Sequence, residues 1–240
     1  MNFLVLSEST ELGDNVQILE KVTINHIKKT LSKKVGDTLK VKVLEKGIGE
    51  AVIKNITESA IEVELKYIKK TTVAGKNISL AIGACRPLMM KRIFEHGSTM
   101  GVKEFLIFKS HFSEKSYLSS RELSPEKIKQ SFKKGLEQTG NHFVLPSVGL
   151  YQDIRNIDLS KYAGILYLDN KKGFYVQKED ALKENLLIFI GGERGWHKSE
   201  IDYFNQKKIK EVTISDSTLR VEFAVCGFLS QLDFLKNAVN

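Results

Sequence analysis

The sequence predicts an N-terminal β-barrel followed by an α/β domain built on a parallel sheet, and three observations support this class. Apolar and polar residues alternate with period two in short segments before residue 70, which is typical of half-buried strands. From residue 78, aliphatic runs alternate with segments of helical periodicity, which is typical of βαβ units. A polar stretch separates the two patterns, so we predict domains at 1–70 and 78–240 joined by a linker at 71–77.

The N-terminal domain is predicted to contain several short strands. Residues 16–19 form an apolar run, and residues 38–44 and 60–65 alternate so that each strand has one buried face. Turn signals separate these segments at Gly36-Asp37, Lys46-Gly47 and Gly49. Short strands punctuated by turns are typical of a small barrel.

The second domain is predicted to alternate strands and helices. Strands are predicted at 78–82, 104–108, 165–168, 186–190 and 212–214, and helices at 88–100, 200–206 and 222–236. A further helix begins at Ser124-Pro125, with serine as the N-cap and proline at the first helical position. Because parallel sheets bind ligands at the carboxyl ends of their strands, the loops after 186–190 and 212–214 are candidate binding loops.

Composition and charge narrow the class of protein. The chain has 240 residues, with 37 Lys and Arg against 29 Asp and Glu, and a net charge of +8. This balance favours a polyanionic partner such as nucleic acid, although a solvated lysine-rich surface would give the same count. The longest aliphatic and aromatic run, residues 186–190, is too short to cross a bilayer, so no membrane partner is expected.

The two cysteines, Cys85 and Cys226, lie beside apolar residues. A chain of this size with two cysteines needs no disulfide framework, and a reducing cytoplasm is the expected location. No metal is expected either, because no cluster of histidines accompanies the cysteines. The N-terminus lacks the basic start of a secretory signal, which is typical of a mature sequence.

The first candidate loop follows the run Ile188-Phe189-Ile190 and has the sequence Gly191-Gly192-Glu193-Arg194-Gly195-Trp196. Its spacing differs from those of a dinucleotide fingerprint and a P-loop. Glycines permit close backbone approach to a ligand, and a tight strand-to-helix turn is the simpler alternative. His197 stands where a capping serine would lie and Glu200 follows three residues later, so we expect half of a capping box to be lost.

The second candidate loop covers residues 214–224. Leu219-Arg220, followed by Glu222 and Ala224, opens an apolar helix. An arginine in this place could anchor a phosphate or orient a base. The alternative is a surface ion pair between Arg220 and Glu222 or Asp216.

Together the two loops resemble the cofactor loops of the knotted RNA methyltransferases of the SPOUT superfamily. The closest likeness is to the family that methylates N3 of a uridine in small-subunit ribosomal RNA. In that family the two loops have the sequences Gly-Pro-Glu-Gly-Gly-Phe and Leu-Arg-Thr-Glu-Thr-Ala. Shorter likenesses in the same order extend over nearly the whole chain, at His26-Ile27, Gly36-Asp37, Gly101-Val102, residues 137–140 and Pro146. Family arginines are replaced by Ser32 and Asn141, and a family glutamate by Thr99.

The resemblance implies a PUA-like β-barrel that binds RNA and a SPOUT-like α/β domain with a C-terminal trefoil knot. It also implies S-adenosylmethionine as the methyl donor, ribosomal RNA or the small ribosomal subunit as the partner, and a homodimer. The residues expected to bind the cofactor are Leu168, Ile190, Gly191, Gly192, Gly195, Ile214, Ser217 and Leu219.

The resemblance also suggests roles for charged residues. Arg220 is expected to stabilise a uracil anion, and Glu222 either holds Arg220 in place, which we favour, or acts as the base. Four lysines surround the place of the missing arginine at Ser32, and they are expected to bind RNA phosphates as point charges: Lys28, Lys29, Lys33 and Lys34.

Two other functions fit the same residues. The chain could be an RNA-binding protein that kept the fold and lost the methyl donor, or a methyltransferase with another RNA target. Gly192 and Arg194 discriminate between an enzyme and a binding protein. An Arg194 side chain that projects into the donor pocket would favour the binding protein.

Overall fold

The computed structural model describes residues 2–70, 77–171 and 174–237. The described residues form two compact units, the first comprising 2–70 with 136–144 and the second comprising 77–135, 145–171 and 174–237. Most of the predicted linker, residues 71–76, lies outside the described residues. The domain boundaries therefore stay a prediction, and the membership of 136–144 in the first unit was not predicted.

The first unit is a curled five-stranded sheet, a half-barrel in place of the small barrel that the sequence predicts. Its strands are β1 (Leu4–Leu6), β2 (Asn15–Ile18), β3 (Thr38–Val43), β4 (Gly47–Ile56) and β5 (Ile61–Lys70), in the order β1-β3-β4-β5-β2. A short helix, α1 (Lys21–Asn25), continues as a π-type turn over His26–Thr30. Alternate residues such as Leu39, Val41 and Ile53 build the core, because successive side chains of a strand point to opposite faces.

The turn predicted at Lys46-Gly47 is present at residues 44–46, directly before Gly47, whereas the turn predicted at Gly49 is wrong. Gly47 is the first residue of the ten-residue strand β4, and Gly49 lies inside that strand. A Cβ on Gly49 would lie 1.9 Å from the Tyr67 carbonyl oxygen, and the β4–β5 register shifts between Glu50 and Ala51. Glycine is therefore needed for the close approach of two strands at a bulge and not for a turn.

Lys42 binds the segment 136–144 to the strands of the first unit. Its side chain is fully buried, and its ammonium donates to the carbonyl oxygens of Leu136 at 2.6 Å and His142 at 2.7 Å. The Nζ atom also lies 5.0 Å from the centre of the Phe3 ring. Burial lowers the pKa of Lys42 to about 8, because desolvation penalises the charged form.

We predict that Lys42→Met lowers the free energy of unfolding by about 1–3 kcal/mol, because the buried Leu136 carbonyl and the partly buried His142 carbonyl lose this donor. Between pH 8 and the ordinary lysine pKa of 10.5, the unfolded chain binds more protons at Lys42 than the folded chain. The stability difference between wild type and variant should therefore increase as the pH rises through this range. Urea unfolding at pH 7 and at alkaline pH measures both effects.

Lys40→Met is the matched control, because Lys40 is exposed on the same strand. It should change neither the stability nor its pH dependence. Equal stability of wild type and Lys42→Met at both pH values would contradict the assigned role of the buried ammonium.

The second unit is a six-stranded sheet in which every pairing is parallel, as predicted. Its strands are β6 (Ile78–Gly83), β7 (Glu104–Phe108), β8 (Ser147–Tyr151), β9 (Gly164–Leu168), β10 (Leu186–Ile190) and β11 (Lys210–Val212), in the order β11-β9-β10-β6-β7-β8. Its longer helices are α2 (Pro87–Thr99), α3 (Pro125–Leu136, its last residue in the first unit), α5 (Lys198–Gln206) and α6 (Val221–Asn237), and α4 (Lys178–Ala181) is short.

Both faces of this sheet are covered. On the central strand β10, Leu186, Ile188 and Ile190 pack into one apolar cluster with residues of α2 and α6. The alternate residues Leu187 and Phe189 pack into a second cluster with residues of α5 on the other face. This explains why β10 is a continuous apolar run and not an alternating one.

Most predicted elements of the second unit are confirmed to within a few residues. The Ser124 hydroxyl accepts from the Lys127 N–H at 3.4 Å, so Ser124 caps α3 as predicted. Strand β11 ends at Val212 and not at Ile214. Strand β8 was not predicted, because as an edge strand it is largely exposed and lacks an apolar run. No helix in the described part of the chain is long and apolar enough to cross a membrane.

Candidate functional site

A cleft lies at the carboxyl ends of three neighbouring strands, β11, β9 and β10. Val212 and Ile190 both pair with Leu168, the last residue of β9, so the three loops that follow these strands start at the same edge of the sheet. The cleft contains about 680 Å³ of empty space, part of it open to solvent. Its lining includes all eight residues predicted to bind the cofactor: Leu168, Ile190, Gly191, Gly192, Gly195, Ile214, Ser217 and Leu219.

Nine other residues of the cleft were not predicted to bind the cofactor, although six of them lie in the two candidate loops. Asp169 and Asn170 directly follow β9, Glu193 lies inside the first loop, and the rest are Trp196, Thr213, Ser215, Thr218, Val221 and Ala224. The rule that ligands bind at the carboxyl ends of parallel strands would have found Asp169 and Asn170, because strand 165–168 was itself predicted.

The first loop is a tight turn whose backbone borders the cleft. The Gly195 N–H donates to the Gly192 carbonyl at 2.9 Å, and Gly195 has a φ of +68°, which lies in the left-handed region. A Cβ on Gly191 would lie 3.2 Å from the Gly195 backbone, so the turn leaves little space for a side chain there. The tight turn considered from the sequence is therefore confirmed, and it is compatible with the other alternative, a ligand loop, which stays a prediction.

Trp196 and His197 fasten the end of this loop. The Trp196 indole is buried, and its Nε1–H donates to the Leu168 carbonyl at 2.7 Å, which ties the first loop to the end of β9. The predicted loss of half the capping box is wrong. His197 Nδ1 accepts from the Ser199 N–H at 3.2 Å, and the Glu200 carboxylate accepts from the His197 N–H at 2.8 Å. A histidine ring nitrogen thus replaces the serine hydroxyl as the N-cap acceptor of α5.

Side chains from neighbouring elements hold the second loop. Asn170 Nδ2 donates to Thr218 Oγ1 at 3.1 Å, and Gln231 of α6 donates to the Ile214 carbonyl at 2.8 Å. The Tyr175 hydroxyl donates to the Asp216 carboxylate at 2.5 Å. These contacts connect the second loop to the loop after β9 and to the final helix, so the two sides of the cleft are braced against each other.

Arg220 and Glu222 stand at the start of α6 but do not line the cleft. Arg220 is exposed, whereas Glu222 is buried and its Oε1 lies 3.9 Å from Nη1 of Arg92. No ion pair between Glu222 and Arg220 occurs among the described residues, so the favoured role of Glu222 in holding Arg220 in place stays a prediction. Glu222 Oε2 is buried and has no hydrogen-bond partner among the described residues.

Both cysteines are protonated thiols near this region. Burial, and then the Glu193 carboxylate, raise the pKa of Cys85 to about 12. Burial and the Glu222 carboxylate raise the pKa of Cys226 as well. Because the thiolate is the nucleophilic form, neither thiol is activated for covalent catalysis at neutral pH.

Arg194 does not line the cleft. Its side chain is exposed, and it lines a neighbouring pocket with Arg86, Ser110 and Tyr117. Arg194 therefore does not project into the donor cleft, the arrangement that would have favoured a binding protein without a methyl donor.

The four predicted RNA-binding lysines belong to the π-type turn and the loop after it in the first unit. Lys28, Lys29 and Lys34 are exposed and Lys33 is half-buried. The Lys28 ammonium donates to the Thr57 carbonyl at 3.2 Å. The described residues contain no group of three or more His, Cys, Asp or Glu side chains that could hold a metal ion.

Comparisons with known proteins point to one family. The sequence profile described as RNA methyltransferase domain matches residues 73–233. The chain is 30% identical over 211 residues to the ribosomal RNA small subunit methyltransferase E of Treponema pallidum, covering 84% of this chain and 79% of that protein. It is 26% identical over 214 residues to the ribosomal RNA small subunit methyltransferase E 1 of Borreliella burgdorferi, covering 86% and 87%.

A solved structure shares the fold. The ribosomal RNA small subunit methyltransferase E from Neisseria gonorrhoeae, solved bound to S-adenosyl methionine, superposes with a TM-score of 0.79 over 98% of both chains. The two sequences are 16% identical, so this likeness concerns the fold alone.

Proposed function

The chain belongs to the RNA methyltransferase family, and from this premise we propose that it transfers a methyl group from S-adenosylmethionine to ribosomal RNA of the small subunit. The observation that carries the proposal is the cleft at the ends of β9, β10 and β11, which is lined by residues of the three loops that follow these strands. The named relatives are small-subunit ribosomal RNA methyltransferases, and the Neisseria gonorrhoeae protein was solved with this methyl donor.

The residues of the cleft fit this donor. Leu168, Ile190 and Ile214 provide apolar walls for a flat adenine ring, while the glycine loop brings unhindered backbone groups to the cleft. Asp169 and Glu193 line the same cleft, and carboxylates favour a positively charged ligand. When bound, the donor supplies a methyl group on a positively charged sulfur.

More specifically, we propose that the atom that accepts the methyl group is N3 of a uridine. The bond from sulfur to the methyl carbon breaks as the bond from N3 to the methyl carbon forms, and the N3 proton passes to a base. Holding donor and acceptor in line would provide most of the catalysis. Arg220 directly follows Leu219 of the cleft, from where its guanidinium would stabilise the negative charge on the uracil ring.

The same proposal includes a homodimer, a C-terminal trefoil knot and a cytoplasmic location. These properties rest on the resemblance of the two loops. Exposed apolar side chains on α2 and α6 are available for contact with a second copy: Leu88, Phe223 and Phe234.

Calorimetric titration with S-adenosylmethionine tests donor binding, and incubation of small ribosomal subunits with labelled donor tests transfer. Nucleoside analysis of the product should yield 3-methyluridine. A different methylated nucleoside would leave the donor assignment intact and overturn the target. Absence of both heat and a thermal shift at millimolar donor would overturn the enzyme assignment and leave an RNA-binding protein.

We predict that neutralising Lys28, Lys29, Lys33 and Lys34 together weakens RNA binding and flattens its salt dependence. Each lost phosphate contact should lower the slope of log affinity against log salt by roughly 0.7–0.9. Donor binding should not change, because the cleft belongs to the second unit. Binding measured at several salt concentrations checks the effect.

A variant with the same change in net charge provides the control. It neutralises four exposed lysines of the second unit: Lys183, Lys198, Lys207 and Lys208. If both quadruple variants show the wild-type slope, the predicted lysine surface does not bind RNA.

A further inference from the structure

A second pocket lies beside the cleft, at the carboxyl ends of β10, β6 and β7. It contains about 400 Å³ of empty space, part of it open to solvent. Gly192 and Glu193 line both the pocket and the cleft, so the first loop is their shared wall. A Cβ on Gly83 would lie 2.7 Å from the Gly192 nitrogen, which shows how closely the end of β6 approaches this wall.

Ser110 provides an unused hydrogen-bonding group in this pocket. Its side chain is 2% exposed, and its Oγ has no hydrogen-bond partner among the described residues. A Cβ on Gly192 would lie 3.7 Å from this Oγ, so the hydroxyl is close to the shared wall. A buried hydroxyl without a partner is costly, and such a group is expected to meet a ligand.

The rim of the pocket carries side chains that can bind the phosphates and the base of a nucleotide. Arg86 and Arg194 are exposed at the rim, and the guanidinium of an arginine matches the geometry of a phosphate. Phe112 presents a partly exposed ring on which a base can stack. Glu193 accepts from the Arg86 N–H at 3.4 Å, and its Oε2 lies 3.5 Å from Arg86 Nε, which positions the arginine at the shared wall.

We propose that this pocket receives the RNA nucleotide that accepts the methyl group. The Ser110 hydroxyl bonds an oxygen on the edge of the base, and Arg86 and Arg194 hold neighbouring phosphates. This inference rests on the proposed function, because direct transfer requires the acceptor to lie next to the donor, and the shared wall provides that contact. The acceptor pocket and the donor cleft then occupy adjacent positions along one edge of the parallel sheet.

Ser110→Ala and Arg194→Ala test the proposal. Ser110→Ala should leave the melting temperature unchanged, because the hydroxyl has no hydrogen-bond partner among the described residues, yet lower kcat/KM for the RNA about 5–10-fold. Arg194→Ala should raise KM for the RNA and reduce the salt slope by about 0.7. Both variants should bind S-adenosylmethionine as wild type does. Arg121→Ala, at an exposed arginine outside the pocket, is the control and should change none of these quantities.

The outcomes separate this inference from the proposed function. A wild-type enzyme that methylates RNA while both variants retain its kcat/KM would overturn the acceptor pocket alone. Weakened donor binding with unchanged RNA kinetics would show that the pocket extends the donor cleft, which also overturns the inference. A wild-type protein that neither binds the donor nor methylates RNA would overturn both.

Discussion

Gly195→Val is expected to weaken binding of S-adenosylmethionine strongly while the protein remains folded. An added Cβ at Gly195 would meet no protein atom within 4 Å, and the residue lines the cleft, so the valine side chain would occupy space that the ligand needs. Overfilling a packed site costs about 1–3 kcal/mol, which weakens binding about 5–150-fold even before the turn itself is strained. Calorimetric titration measures the loss.

The left-handed backbone of Gly195 requires a matched control. A non-glycine residue in this conformation costs about 1–2 kcal/mol of stability wherever it occurs. Gly13 has a φ of +87° and open space around its Cβ position, but it lies in the first unit. Gly13→Val should therefore lose similar stability and keep wild-type donor affinity. Equal donor affinity in Gly195→Val and Gly13→Val would show that Gly195 does not border the bound donor.

Arg220→Ala is expected to lower methyl transfer by about 10²–10³-fold, the usual effect of removing one group that stabilises developing charge. Donor affinity should remain close to that of wild type, because Arg220 does not line the cleft. The described residues show no ion pair at the exposed Arg220, so its guanidinium is available to the substrate. Single-turnover methylation at saturating donor measures the effect.

Arg220→Lys separates the charge from the shape of the side chain. It should recover part of the rate, since an ammonium retains the positive charge but not the planar, forked donor group. Methylation by Arg220→Ala at the wild-type rate would restrict Arg220 to a structural role at the start of α6. A loss of donor affinity in parallel with the rate would instead make it part of the donor site.

The local pattern of the sequence was sufficient to predict the parallel strands and the loops that border the cleft. The apolar run that forms β10 and the glycine loop after it are contiguous segments, so hydrophobic periodicity and glycine content report them directly. The same applies to Ser124, whose capping contact with Lys127 spans three residues. The eight cleft residues were named from the resemblance of the two loops to a known family, and their expected role in binding the cofactor remains a prediction.

Contacts between distant residues were decided only by the tertiary structure. Gly49 meets Tyr67 across a bulge, Lys42 binds carbonyls about a hundred positions away, and Glu222 pairs with Arg92 in place of the nearby Arg220. The proposed acceptor pocket has the same origin, since Ser110 and Gly192 become neighbours through the strand order β10-β6-β7. Periodicity reveals which face of an element is buried, but which elements lie side by side depends on the packing of the whole chain.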